Sequence, residues 1–159
     1  MAIDMARPLD VDPTVDHWSC NVLIEDGARL ANFVTYGALD EQHLILQTAS
    51  ETSPGPRPIP SAVRIVTPGD IDPVRLQNAK LILPFARWRV SLDDRIRLLA
   101  VLDEEGSVTL AECLGILRHM SRPVAAAVAV VAALALAPAV DVDLDEPIGS
   151  RTRVIRREA

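Results

Sequence analysis

Two acidic pairs, Glu25-Asp26 and Asp40-Glu41, flank the apolar run "RLANFVTY" and offer the oxygen-rich ligands that a divalent cation needs. Brought together by a hairpin, they would hold a metal that activates water for phosphodiester cleavage. Turn chemistry accounts for the same residues more simply, because Asp26-Gly27 is a hairpin signal. His17, His43 and His119 are dispersed and read as surface or internally satisfied histidines. The sequence contains no Gly-rich phosphate loop, no HExxH, no GxSxG and no Cys/His cluster. The expectation is therefore no cofactor, no metal site and no catalytic centre.

Charge narrows the partners. The chain has 159 residues and a net charge of −6, which disfavours general phosphate binding. Residues 1–60 hold nine acidic and three basic side chains, whereas residues 61–159 hold thirteen of each, so the acidic excess lies in the first part. Cys20 and Cys113 stand far apart without a CxxC, and "MAIDMARPLD" lacks the pattern of a signal peptide. Free thiols and a cytoplasmic location follow as expectations.

These residues must be positioned by a small set of elements. Residues 1–17, rich in Asp and Pro, read as an irregular arm. "CNVLIE", "RLANFVTY" and "HLILQT" follow in close order and predict an antiparallel meander. "ASETSPGPRPIPSA" excludes helix and central strand. "VRIVT" predicts a fourth strand, and "DIDPVRLQNAKLIL" a helix capped by Asp72 with Pro73 at its first position, ending at Pro84. "SLDDRIRLLAVLDEEG" predicts a helix capped by Ser91, with Ile96, Leu99, Ala100 and Leu102 on its apolar face and Gly106 as its stop. A short helix opens at Thr109, with Leu110, Cys113, Leu114 and Leu117 at helical spacing.

Another helix starts at Ser121 and closes at Pro138. Its apolar stretch is long enough to raise the question of a bilayer span, yet Ala dominates it and few residues favour insertion, so no membrane association is expected. "AVDVDLDEPIGSRTRVIRR" alternates with period two: Val140, Val142 and Leu144 on one face, Asp141, Asp143 and Asp145 on the other. It predicts a β-hairpin with one buried face.

Three helices followed by a hairpin are the winged helix-turn-helix order. A DNA reader needs hydrogen-bonding side chains on its third helix. Beyond Arg122 this helix has none: Val124, Val128, Val131 and Leu134 form its larger stripe, and Ala125, Ala129, Ala132 and Ala133 the rest. Those four alanines are candidate contacts for a close-packed protein partner, a second copy of the chain included. Arg118, Arg122, Arg151, Arg153, Arg156 and Arg157 are the candidates for weak contact with duplex DNA. The hairpin aspartates are expected to neutralise part of the Arg151 and Arg153 charge.

The order of elements, with "VRIVTPGDIDPVRLQNAKLIL" and "APAVDVDLDEPIGSRTRVIRR", resembles TnsA-type transposon endonucleases over residues 20–157. The resemblance implies a PD-(D/E)XK nuclease core followed by a winged-helix region. It places Asn32 at the metal-binding Asp, Leu46 at the Glu and Thr48 at the Lys, so none of the three keeps its chemistry. Lys80 is the only lysine, and no acid-x-Lys occurs. The family would have helices before the first strand and after Thr48, and in this sequence both are expected to be missing or replaced by the Pro-rich loop.

The expected fold is α+β: an arm over 1–17, a small antiparallel or mixed sheet with one helix over 18–84, and a winged helix-turn-helix-like unit over 85–159. The expected function is that of a non-catalytic, DNA-associated adaptor or regulator acting through protein contacts. A winged-helix transcriptional regulator and a metal-dependent DNA endonuclease are the alternatives.

Overall fold

A computed structural model describes residues 1–23, 30–37, 40–47, 62–117 and 123–157, without the side chains of 123–126. The chain is α+β and forms two compact units, Met1–Leu76 and Gln77–Ala159.

The first unit holds a helix, α1 (Ala2–Val11), and four strands: β1 (His17–Leu23), β2 (Leu30–Tyr36), β3 (Glu41–Leu46) and β4 (Val63–Val66). The sheet order is β1-β2-β3-β4. The expected meander is present, with Cys20 opposite Phe33 and Phe33 opposite Leu44 in antiparallel ladders. The fourth strand is present too, but it pairs parallel to β3, with Leu44 beside Arg64. Parallel neighbours need a crossover of a dozen residues or more, and the Pro-rich segment supplies the length. Residues 48–61 of that stretch lie outside the described residues.

The segment expected as an irregular arm is helical over most of its length. Pro8 sits inside α1, where it removes one helical hydrogen bond, a cost of about 3 kcal/mol in an isolated helix. Packing offsets it: Leu9 is buried, and Met5 and Ala6 lie with it against Phe33, Leu44 and Val66. Trp18 Nε1 donates to Asp10 Oδ1 at 2.9 Å, tying the end of α1 to β1. A helix therefore does precede the first strand, where the sequence led to the expectation that it was missing.

α2 (Pro73–Ile82) begins where expected, with Asp72 Oδ1 accepting from the Val74 and Arg75 amides at 2.7 and 3.0 Å. The unit boundary falls inside this helix, not at Pro84, because Asn78 and Ile82 are buried and Asn78 bonds to residues 144–148.

After a short 3-10 turn at Leu83–Phe85, the second unit continues with α3 (Leu92–Glu105), β5 (Ser107–Thr109), α4 (Leu110–Ile116), α5 (Pro123–Leu136), β6 (Val140–Val142) and β7 (Arg153–Arg156). Ser91 caps α3, accepting from the Asp94 amide at 3.2 Å. Gly106 ends it at φ 75°, a conformation that favours glycine, and its N–H reaches the Leu102 carbonyl. Thr109 and Glu112 form a capping box on α4.

The buried face of α3 differs from expectation: Asp94, Leu98 and Leu102 are inside, while Ile96 is 57% exposed. Leu102 belongs to both possible stripes, and the packing of Leu98 and Leu102 with Val108, Leu110 and Val154 selects one. The hairpin becomes a three-stranded sheet in the order β5-β7-β6, with Val108 opposite Val154 and Val142 opposite Val154 on the other side. β5 is too short to show a period of two in sequence.

Candidate functional site

Two of the positions singled out by the resemblance, Asn32 and Leu46, are adjacent and joined by a structural hydrogen bond. Asn32 of β2 turns its Oδ1 onto the Leu46 amide of β3 at 2.8 Å. The β2–β3 ladder runs from Tyr36 opposite Glu41 to Phe33 opposite Leu44, and the carboxamide satisfies the next free amide beyond it. Leu46 lies half-buried beside the Phe33 and Leu44 cluster. Thr48 lies outside the described residues, as do Glu25 and Asp26. Asp40 and Glu41 are engaged locally, with Gln42 Nε2 donating to Asp40 at 3.3 Å and His43 Nε2 lying 3.4 Å from Glu41. Among the described residues, no three side chains of His, Cys, Asp or Glu gather as a metal site.

A polar cleft of about 380 Å³ lies in the first unit, lined among others by Asp12, Thr35, Asp40, Arg64 and Asp70. Its carboxylates already have partners. Asp12 accepts from the Thr14 hydroxyl at 2.6 Å and pairs with Arg75 at 3.3 Å. The Thr67 hydroxyl and amide donate to Asp70 and hold its carboxyl below the ordinary carboxylate range.

The second unit holds the candidate arginines in unequal circumstances. Arg157 Nε donates to Asp141 Oδ1 at 2.8 Å, and a terminal nitrogen of the same guanidinium contacts that oxygen. Arg156 pairs with Asp103 of α3 at 2.9 Å. Asp141 is thus matched by Arg157, whereas Arg151 and Arg153 were the expected partners of the hairpin aspartates. Asp141 stands opposite Ile155 in β7, with Arg153 and Arg157 each one pleat away on the same face, and it is Arg157 that makes the pair. Arg151 and Arg153 are exposed and form no ion pair with described residues; Glu112 is held in its charged form mainly by the Thr109 amide and hydroxyl, with Arg153 adding a smaller pull. Arg118 and Arg122 lie outside the described residues.

The alanines expected to meet a partner are closed to one. Ala129, Ala132 and Ala133 are buried, as are Val130, Val131 and Leu134 around them. A helix that is apolar on every side belongs inside the protein. The Ala125 side chain lies outside the described residues.

One residue that sequence reasoning missed organises the hairpin. Asn78, buried in α2, donates Nδ2 to the carbonyls of Leu144 at 3.0 Å and Glu146 at 2.7 Å, and its Oδ1 accepts the Ile148 amide at 3.1 Å. The first amides of α4 complete the hold, Leu110 N–H on the Thr152 carbonyl and Ala111 N–H on that of Ser150, both at 3.0 Å. The β6–β7 connection is fastened to its own unit at five points. An Asn within a helix gives no sequence signal for such a role, because its three partners lie far along the chain.

Beside this connection lies an apolar groove of about 380 Å³, lined by Leu81, Phe85, Leu110, Leu114, Val128 and Ile148 among others. Cys113 lies buried in the neighbouring core, where loss of water contact pushes its thiol up to about 11, while Cys20 is exposed; both are free thiols.

No protein-family model, curated protein or solved structure matches this chain.

Function must therefore be argued from the site alone. Two described features face outward with unsatisfied chemistry: exposed arginines at the hairpin, which suit anions, and the groove, which suits apolar side chains. No described helix is long and apolar enough to cross a membrane.

Proposed function

We propose that the protein is a non-catalytic adaptor or regulator, associated with DNA transactions and working chiefly through protein contacts made by its C-terminal unit. One observation carries this reading: the β6–β7 connection, the part that would have to reach along DNA, is bonded to α2 and α4 of its own unit. The apolar third helix and the engagement of Arg156 and Arg157 by Asp103 and Asp141 support it. The likeness to a degenerate TnsA-type endonuclease draws support from the helix before the meander and from the adjacency of Asn32 and Leu46. Free Cys20 and Cys113 suit a reducing cytoplasm.

A salt-titrated binding assay on duplex DNA tests the reading. We expect binding weaker than about micromolar at physiological salt, with no selective loss in Arg151→Ala or Arg153→Ala. Tight binding whose salt slope falls in those variants would establish the second reading, a winged-helix DNA-binding regulator. That reading draws on the order α3-β5-α4-α5-β6-β7 and on the exposed Arg151 and Arg153, which form no ion pair among the described residues. Cleavage of duplex DNA dependent on Mg²⁺ or Mn²⁺ would instead establish an endonuclease.

A further inference from the structure

The groove beside Ile148 does not end at Phe85. The Phe85 ring meets Trp88 edge to face, with centroids 5.9 Å apart, and Trp88 is 51% exposed. Leu81, on the groove's wall, is 43% exposed. Apolar surface thus passes from the groove to an exposed tryptophan. On either side of that tryptophan in sequence stand Arg87 and Arg89, both exposed and without an ion pair to any described residue. The described lining of the groove contains no charged side chain.

We infer that this surface docks an acidic amphipathic segment of a partner protein, with apolar side chains seated in the groove and carboxylates on Arg87 and Arg89. The inference rests on the adaptor reading and names where and with what chemistry the adaptor would bind. Three physical points favour this occupant. Unfilled apolar surface is covered most favourably by protruding apolar side chains, which DNA does not offer. Exposed tryptophan and arginine are the residues that most often dominate binding energy at protein interfaces. Arg87 and Arg89, which flank Trp88 and have no ion pair among the described residues, select a partner with negative charge, and charge complementarity there sets orientation and association rate. The net charge of −6 weakens attraction to an anionic bilayer as a whole, so the selection acts through these local cations.

The test selects a random peptide library on the full chain, then titrates the enriched peptides. Trp18→Phe leaves Trp88 as the only tryptophan, so its emission reports the site directly. Enriched peptides are expected to be net acidic with spaced apolar residues and to shift Trp88 emission to the blue. Labelled peptide should bind about tenfold or more weakly to Trp88→Ala and to Leu81→Ser, and the loss in Arg87→Glu/Arg89→Glu should shrink at high salt. Ile3→Ser, at a still more exposed apolar site in the other unit, should bind as the parent does. Circular dichroism confirms that each variant is folded, and Leu81→Ser keeps the test decisive if Trp88→Ala unfolds.

The inference is overturned if no peptide is enriched, if enriched peptides lack acidic bias, or if both groove variants bind unchanged. It is also overturned if anionic vesicles, duplex DNA or a second copy of the chain shift Trp88 emission in the peptide's place. Tight DNA binding in the salt titration removes the adaptor reading itself. Weak DNA binding without peptide enrichment removes only this site.

Discussion

The two units are held together by different means. Among the described residues, the C-terminal unit has one cluster of twelve buried apolar side chains, spanning α3, β5, α4, α5, β6 and β7. The N-terminal unit has two smaller clusters, of four and two, and its helix is held on the sheet by Leu9 together with an exposed polar contact from Trp18 to Asp10. Apolar burial grows in effect with the area removed from water, whereas exposed polar contacts add little. The C-terminal unit should therefore unfold later, and the N-terminal unit should respond more strongly to changes in its hydrogen bonds.

Each unit carries one tryptophan, Trp18 or Trp88, so Trp18→Phe and Trp88→Phe backgrounds let denaturant unfolding be followed unit by unit. The largest effect is expected for Asn78→Leu. It removes three hydrogen bonds and leaves the part-buried Leu144 and Glu146 carbonyls without this donor, which should cost about 3 kcal/mol and shift the Trp88 transition alone. An equal shift in the Trp18 signal would break the comparison, because the units would then be unfolding as one.

Asn32→Ala should cost about 1–2 kcal/mol in the Trp18 transition, since the Leu46 amide loses its acceptor. Asn32→Asp keeps an acceptor and should cost less. If Asn32→Ala is silent, the Asn32 carboxamide is not what closes the ladder beyond Leu44.

Cys113 sharpens the difference by pH. Its thiol is raised by burial from about 9 to about 11, so it stays protonated in the folded protein while the unfolded chain ionises. The stabilisation is complete below about pH 9 and is lost as pH rises towards about 11. Unfolding midpoints of the Trp88 transition should fall across that window, and Cys113→Ala should flatten the decline. A thiol reagent at neutral pH should label exposed Cys20 promptly and Cys113 only on opening of the core.

The smallest effect belongs to the Arg156–Asp103 pair, where both side chains remain well exposed. A double-mutant cycle should give a coupling below about 1 kcal/mol that fades with salt. A larger value would make the surface of the C-terminal unit a source of its stability and blur the contrast with the core.

Much of the architecture was readable from local rules. The caps at Asp72, Ser91 and Thr109 and the stop at Gly106 are decided within one helical turn, and the structure shows each of them. The meander followed from strand composition and the spacing between runs. The helix at residues 2–11 was hidden because Pro8 and nearby aspartates disfavour it locally, and only Leu9 docking on Phe33 and Leu44 overcomes that preference. The face of α3 was misjudged because two apolar stripes share Leu102. Of the site, the arginines were visible as charge, but their partners were not: pairing of Arg157 with Asp141 depends on register, which sequence alternation leaves open by two residues.

By itself, then, the sequence determined most of the alternation of strands and helices and the places where helices start and stop. These follow from side chains acting on their own backbone within a few residues. Tertiary structure alone decided that α1 is a helix, that β4 runs parallel to β3, that Asn78 fastens a connection seventy residues downstream at Ile148, and that an apolar groove opens next to Phe85 and Trp88. Each of these depends on groups distant in sequence meeting in space, where burial and unsatisfied backbone amides outweigh local preference.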